Sequence, residues 1–316
     1  VSLATVGVIR FTGSGTYTYS GAITLTGTSS TISSTNSGGS TTFSGGINAT
    51  SSGSQSLTIS TTTDDFVISG AIGGTTRPST VDISAIGTGR TLSINQDISS
   101  TGNQTLTATG GITISGARTF TSTSGTINTA SALSGNSSFD ISGNADINGA
   151  ITGITTFSVS GTSNIGADVT TSSTQQYDGV TTLSTNVTLT TTNSNVTFND
   201  KVISDSTTNR NLTIDTNGNT GTAVFGNATA DTVGVTNGYD LGVIDITGNL
   251  DLNAAIGNGA TAGATSIAVS GTSNIGANVT TSSTQQYDGA VTLSANVNLT
   301  GSTITTNSTV AGAQII

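Results

Sequence analysis

The sequence predicts an all-β fold, a β-solenoid in which short strands stack coil upon coil, and three observations carry that expectation. The first is repetition: Val159 to Gly179 (VSGTSNIGADVTTSSTQQYDG) recurs as Val269 to Gly289, with Asp168 changed to Asn278 alone. The second is a recurring triplet of apolar, polar, apolar residues, such as Leu57-Thr58-Ile59, which places two apolar side chains on one face of a strand. The third is the interior those triplets offer. Val, Ile, Leu and Ala dominate, while five Tyr, eight Phe and no Trp supply few large rings, which suits a narrow cross-section. An array of β-sandwiches also uses short strands and frequent corners and is the alternative, but a sandwich does not need near-identical internal repeats.

Composition excludes the other classes. Only 7% of the 316 residues are charged, all sixteen acids are Asp, and Lys201 is the only Lys, so the strong helix formers are missing. Ser, Thr and Gly enrichment also describes flexible linkers, but a linker has no reason to alternate apolar and polar residues, as this chain does throughout.

In chain order, Ile9 to Leu25 carries apolar residues or Gly at every odd position, which predicts two strands broken at Gly13-Ser14-Gly15. Tyr19 to Leu25 already shows the YxG(A/V)xTL pattern of Tyr177 to Leu183 and Tyr287 to Leu293. Strand triplets then follow at Leu57–Ile59, Val81–Ile83, Leu92–Ile94, Ile112–Ile114, Val187–Leu189, Val196–Phe198, Leu212–Ile214, Ile244–Ile246, Val291–Leu293 and Val297–Leu299. Gly45-Gly46, Gly73-Gly74, Gly110-Gly111, Asn217-Gly218, Asn237-Gly238 and Asn258-Gly259 punctuate them with residues that accept positive φ. Pro78 belongs in a loop. No shift of composition marks a boundary, so residues 1–316 read as one continuous solenoid. At about 22 residues per coil, the spacing of the twin stretches, about 110 residues, becomes about five coils and the chain roughly 14, about 70 Å at about 4.8 Å each. Beginning at Val1 without a leader, the chain reads as a fragment of a longer one.

Thr280 to Thr305, TTSSTQQYDGAVTLSANVNLTGSTIT, resembles the repeats of filamentous haemagglutinin-like adhesins of Gram-negative bacteria, where QxYxGAVTLxxxxxLT-type units recur. Asn211 to Thr216 followed by Ala223-Val224-Phe225-Gly226 looks like a further coil of such an array. The resemblance implies a right-handed parallel β-helix, export across the outer membrane, and a stiff surface fibre of which this segment is shaft. It transfers no catalytic residues.

The candidate sites each have a plainer reading. Glycan-cleaving solenoids need an acid and a base, but the chain has no His and no Glu, and Asp64-Asp65, its only adjacent acids, would point to opposite faces. Lys201 and Ser204 could form a dyad, but Lys201 reads better as a lone surface Lys. Asp215-x-Asn217-Gly218-Asn219 places oxygens like a calcium loop but lacks the later Glu, and reads as an Asn-Gly turn. Tyr177 and Tyr287 could face a sugar, yet fit better as rings stacked within equivalent coils. Asn-x-Ser/Thr sequons run from Asn48 to Asn307, as so much Asn and Thr produces by chance. Asp178 and Asp288 are the acids both long copies keep.

The expectation is therefore a structural shaft or adhesive segment of a bacterial surface fibre, extracellular or on the cell surface, with no catalytic site, metal or cofactor. Its partners would be glycans of a host or the environment, or neighbouring fibre subunits, with end-to-end self-association through open coil edges. A net charge of −10 and scattered basic residues argue against nucleic acid, and no apolar run is long enough for a membrane helix. Two rivals stand beside it. One is a polysaccharide lyase or hydrolase; the other is an ice- or glycan-binding face, which for ice needs Thr-x-Thr once per coil in constant phase. Thr16-Tyr17-Thr18 and Thr303-Ile304-Thr305 occur, but the sequence shows no such phase.

Overall fold

A computed structural model describes the chain except residues 1, 4, 5, 37, 207, 219, 229, 235–237 and 313–316. The described residues contain no helix, and their parallel strands make a β-solenoid of about 13 turns. The chain divides into two compact units, residues 1–154 and 155–316.

Each coil of unit 1 contributes to three faces. The first face stacks Val6–Phe11, Ser29–Ser34, Ser56–Thr61, Thr80–Ala85 and Gln104–Ala108. The second stacks Tyr17–Tyr19, Ser40–Phe43, Asp65–Ile68, Leu92–Ile94 and Ile112–Ile114. The third runs through Ile23–Leu25, Ile47–Ala49, an isolated bridge at Ile72, and Ile98–Ser100. Two long strands, Arg118–Thr129 and Phe139–Ile147, cross a corner and serve two faces each, with a register shift between Thr121 and Thr126.

Period-2 patterning fixes what each strand buries. Ile23, Ile47, Ile72 and Ile98 pair in turn into one buried column. Ile32, Ile59, Ile83 and Leu106 form another. Because side chains repeat at the same place in every coil, like stacks on like and the core is a bundle of ladders.

Unit 2 repeats the plan. One face carries Phe157–Val159, Gln175–Tyr177, Val196–Phe198, Thr222–Phe225, Asn249–Leu252, Ser273–Ile275 and Val291–Leu293. Another carries Val169–Thr171, Val187–Thr190, Arg210–Asp215, Leu241–Thr247, Ala264–Val269, Thr284–Tyr287 and Thr303–Thr306. The third begins with Ser163–Ile165, Thr181–Leu183 and Val202–Ser204.

Three expectations change. Ile9 to Leu25 holds parts of three strands, because Ser20-Gly21 is a second corner. The triplet Val297–Leu299 is a strand only from Leu299, as Leu299–Thr300. Coil length is also not constant. Phe157 meets its partner Gln175 after a short coil, while Val196 meets Ala223 after one half as long again. Longer corners lengthen the average coil, so there are about 13 turns where roughly 14 were expected.

The twin stretches accordingly do not lie five whole coils apart. Val159 stacks through Tyr177, Phe198, Phe225 and Leu252 to Ile275. Val269, its sequence equivalent, instead lies in the column that runs from Val169 through Leu189, Ile214 and Ile246 and continues to Tyr287. The second copy is displaced by one face.

Candidate functional site: the repeated polar corner

The candidates Tyr177 and Asp178, with their counterparts Tyr287 and Asp288, sit at a corner of the coil beside Gln175 and Gln285. Alternation along Gln175–Tyr177 turns Gln175 and Tyr177 inward and both are buried, while Gln176 between them is exposed. An inward Gln needs partners, since an unpaired buried amide is costly. Its Nε2 donates to the carbonyls of Val169 (3.0 Å) and Thr190 (2.9 Å) and reaches Thr171 Oγ1 at 3.4 Å, so one amide ties two successive coils. The Tyr177 hydroxyl donates to Gln175 Oε1 at 3.1 Å.

The second copy reproduces this on a different face. Gln285 Nε2 donates to Val279 O (3.1 Å), Thr300 O (2.8 Å) and Thr281 Oγ1 (3.4 Å), and the Tyr287 hydroxyl donates to Gln285 Oε1 at 3.1 Å. Burial pushes both phenols well above the usual tyrosine range, which keeps them protonated as donors. Both rings are fully buried. Tyr177 stacks on Phe198 with centroids 5.2 Å apart and meets Phe157 edge-on at 5.9 Å.

A third such corner escaped the sequence reading. Gln104 donates to Ile98 O, Thr121 O and Ser100 Oγ at 3.4, 2.7 and 3.2 Å. Leu106 stands where the other corners have Tyr, and Gln104 Oε1 is buried without a partner. The shared signal is Ile or Val, then Thr or Ser two positions on, then Gln four after that; with Leu in place of Tyr it is too sparse to notice.

Asp168 and Asn278, the one difference between copies, do the same work. Asp168 Oδ1 accepts the Thr188 N–H at 2.8 Å, and Asn278 Oδ1 accepts the Asn298 N–H at 2.8 Å. An oxygen is needed and its charge is not. The same rung recurs from Asp65 to Thr91, Asn103 to Thr126, Asn195 to Thr222 and Asn249 to Thr272. Asp178 accepts from Gln176 Nε2 and Asn199 Nδ2, both at 2.7 Å, and Asp288 from Gln286 and Asn307 at 2.9 and 2.8 Å. These acids link one coil to the next.

The remaining candidates are also separated or spent. Asp64 is fully buried, accepting hydroxyl hydrogen bonds from Ser34 (2.7 Å), Thr41 (2.8 Å) and Thr61, while Asp65 binds a backbone N–H away from it. Ser204 donates to Asp240 O and accepts from the Arg210 N–H, and no hydrogen bond joins it to Lys201. Asp215 Oδ1 accepts the Asn217 N–H at 2.8 Å, closing a turn with Asn217 at φ 49°; Asn219 and Asn237 lie outside the described residues. Arg210 pairs with Asp205 at 2.9 Å and, by that bond, holds its carboxyl below the usual range. Among the described residues no three acids gather in a group that could hold a metal ion. A cleft of about 340 Å³ in unit 2 is lined by residues such as Asn249, Asn274 and Thr292, and Asp251 is its one titratable group.

Comparison with protein-family models, curated proteins and solved structures finds no match to this chain.

Proposed function

We propose that the chain is a non-catalytic shaft or adhesive segment of an extracellular fibre on a bacterial surface, of the filamentous haemagglutinin-like kind its repeats resemble. The observation that carries this reading is the twin corner. Two copies of one stretch lie on different faces and make the same internal hydrogen bonds, so the sequence has been kept for building a coil. A binding or reacting group would present itself outward in one direction; here Gln and Tyr point inward, and Asp168, Asp178 and Asp288 join coils. The mechanism is then mechanical. Backbone bonds along the axis resist extension, and a low-charge lateral surface makes weak contacts that add through multivalency.

Display of the chain on a non-adherent bacterium tests the reading. Greater retention under flow on glycan-coated surfaces supports an adhesive segment, and retention only when a known adhesive tip is fused to the chain supports a shaft. Turnover of any acidic polysaccharide that vanishes in Asp178→Asn with Asp288→Asn would overturn the non-catalytic role.

A further inference from the structure

The first face of unit 1 carries strands long enough to repeat their outward residues in more than one column. In constant register, Thr31 pairs with Thr58, Asp82 and Thr105 in one outward column, and Ser33 with Ser60, Ser84 and Thr107 in the next. Ser29, Ser56 and Thr80 begin a third. Val8 and Arg10 bound the first two columns at one end, and Asn128 closes the Thr31 column at the other. The sequence hides this phase because the coils differ in length: the interval from Thr31 to Thr58 exceeds that from Thr58 to Asp82, which exceeds that from Asp82 to Thr105.

Apart from Ser56, whose hydroxyl donates to the Thr28 carbonyl, the grid hydroxyls are also uncommitted. At the corners Thr, Ser, Asn and Asp side chains are used up in local bonds or in bonds between coils, as at Thr171, Asn103 and Asp168. No hydrogen bond within the described structure uses the hydroxyls of Thr31, Thr58, Ser60, Ser84, Thr105 or Thr107. Ser33 is an edge of the grid, its hydroxyl buried without a partner. Strand geometry spaces the grid at about 4.8 Å along the axis and about 6.7 Å along each strand.

We propose that this hydroxyl grid binds an ordered plane of water, the surface of an ice crystal. Rows repeating in two directions match a lattice, whereas a soluble sugar is held in a concave site with few converging polar groups. Stacking on the rings of a crystalline polysaccharide would need exposed aromatics, and every grid position is Thr, Ser or Asp. Bridging waters give nearly the enthalpy of direct hydrogen bonds, and the Thr side chains, held by β-branching on a paired sheet, lose little freedom in receiving them. Asp82, exposed in the middle column, is the one charge on the grid and its flaw.

The full chain should separate the freezing point from the melting point in a nanolitre osmometer. Thr58→Lys, at the centre of the grid, should abolish that gap; Asp82→Thr, completing the column, should widen it. Thr197→Lys, outward on unit 2, should leave it unchanged, with circular dichroism confirming the β signal of each variant. The proposal is overturned if neither the wild type nor Asp82→Thr shows a gap, if Thr58→Lys keeps it in full, or if the chain binds crystalline cellulose or chitin without one.

Discussion

At the scale of single residues, the surface Asp and Asn act through one oxygen. Asp168→Asn should change stability by less than about 0.5 kcal/mol, because Oδ1 still accepts the Thr188 N–H as Asn278 does for Asn298. Asp168→Ala should cost about 1 kcal/mol in chemical denaturation. The tyrosines carry the pH dependence. Their folded phenols titrate above the unfolded value of about 10, so the native state holds protons that the unfolded state has lost. The stability they supply is complete below pH about 10 and falls as pH rises above it, by about 1.4 kcal/mol per pH unit per tyrosine. A Tyr177→Phe, Tyr287→Phe double variant should lose that alkaline dependence. At neutral pH it should be weaker by about 1–3 kcal/mol per site, since each Gln Oε1 is left as bare as that of Gln104. The sequence favoured Tyr177 as a ring stacked within the coil over a sugar platform, because other aromatics are so sparse, and the structure stacks it on Phe198. It did not show the Gln104 corner or the Asp64 cage, whose partners Ser34 and Thr41 come from elsewhere in the chain.

Among elements, the strands were the most legible part, since apolar triplets such as Leu92–Ile94 and Val196–Phe198 are strands as expected. Corners were harder, because Ser-Gly and Asp-Gly pairs are unremarkable in a chain with 42 Gly. Their role is steric. A Cβ on Gly45 would lie 2.0 Å from the carbonyl oxygen of Gly21, and one on Gly70 2.2 Å from that of Gly45. Coils approach there backbone to backbone, so Gly45→Ala should destabilise by more than about 2 kcal/mol, seen as a lowered thermal midpoint. Gly89→Ala is the comparison: nothing lies within 4 Å of its Cβ, and only its φ of 70° penalises the change, by about 1 kcal/mol.

For the whole molecule, the fold class was legible and the arithmetic of coils was not. Repetition and alternation pointed to a solenoid, but phase depends on corner lengths that vary from the Phe157 coil to the Val196 coil, and no local pattern encodes them. Deletion tests this directly. Removing Ser160 to Tyr177 excises one turn, joining Val159 to the residue that follows its partner Tyr177, and should leave a protein with the same β spectrum and cooperative unfolding. Removing only Ser160 to Asp168 displaces every later strand by part of a turn and should lower the thermal midpoint further than the full-turn deletion. The one-face displacement between the natural copies sets how severe that is, because similar corner chemistry works on more than one face.

That displacement bears on how such a chain changes length over generations. Near-identical copies within one chain invite unequal exchange of their coding segments, and each exchange would add or drop a stretch that is not a whole number of coils. In most folds such an event scrambles the core. Here the incoming Val, Gln and Tyr meet a face that already accepts their equivalents, as Val269 meets the column that contains Val169. A near-identical pair of stretches displaced by one face is what an exchange of part of a turn would leave.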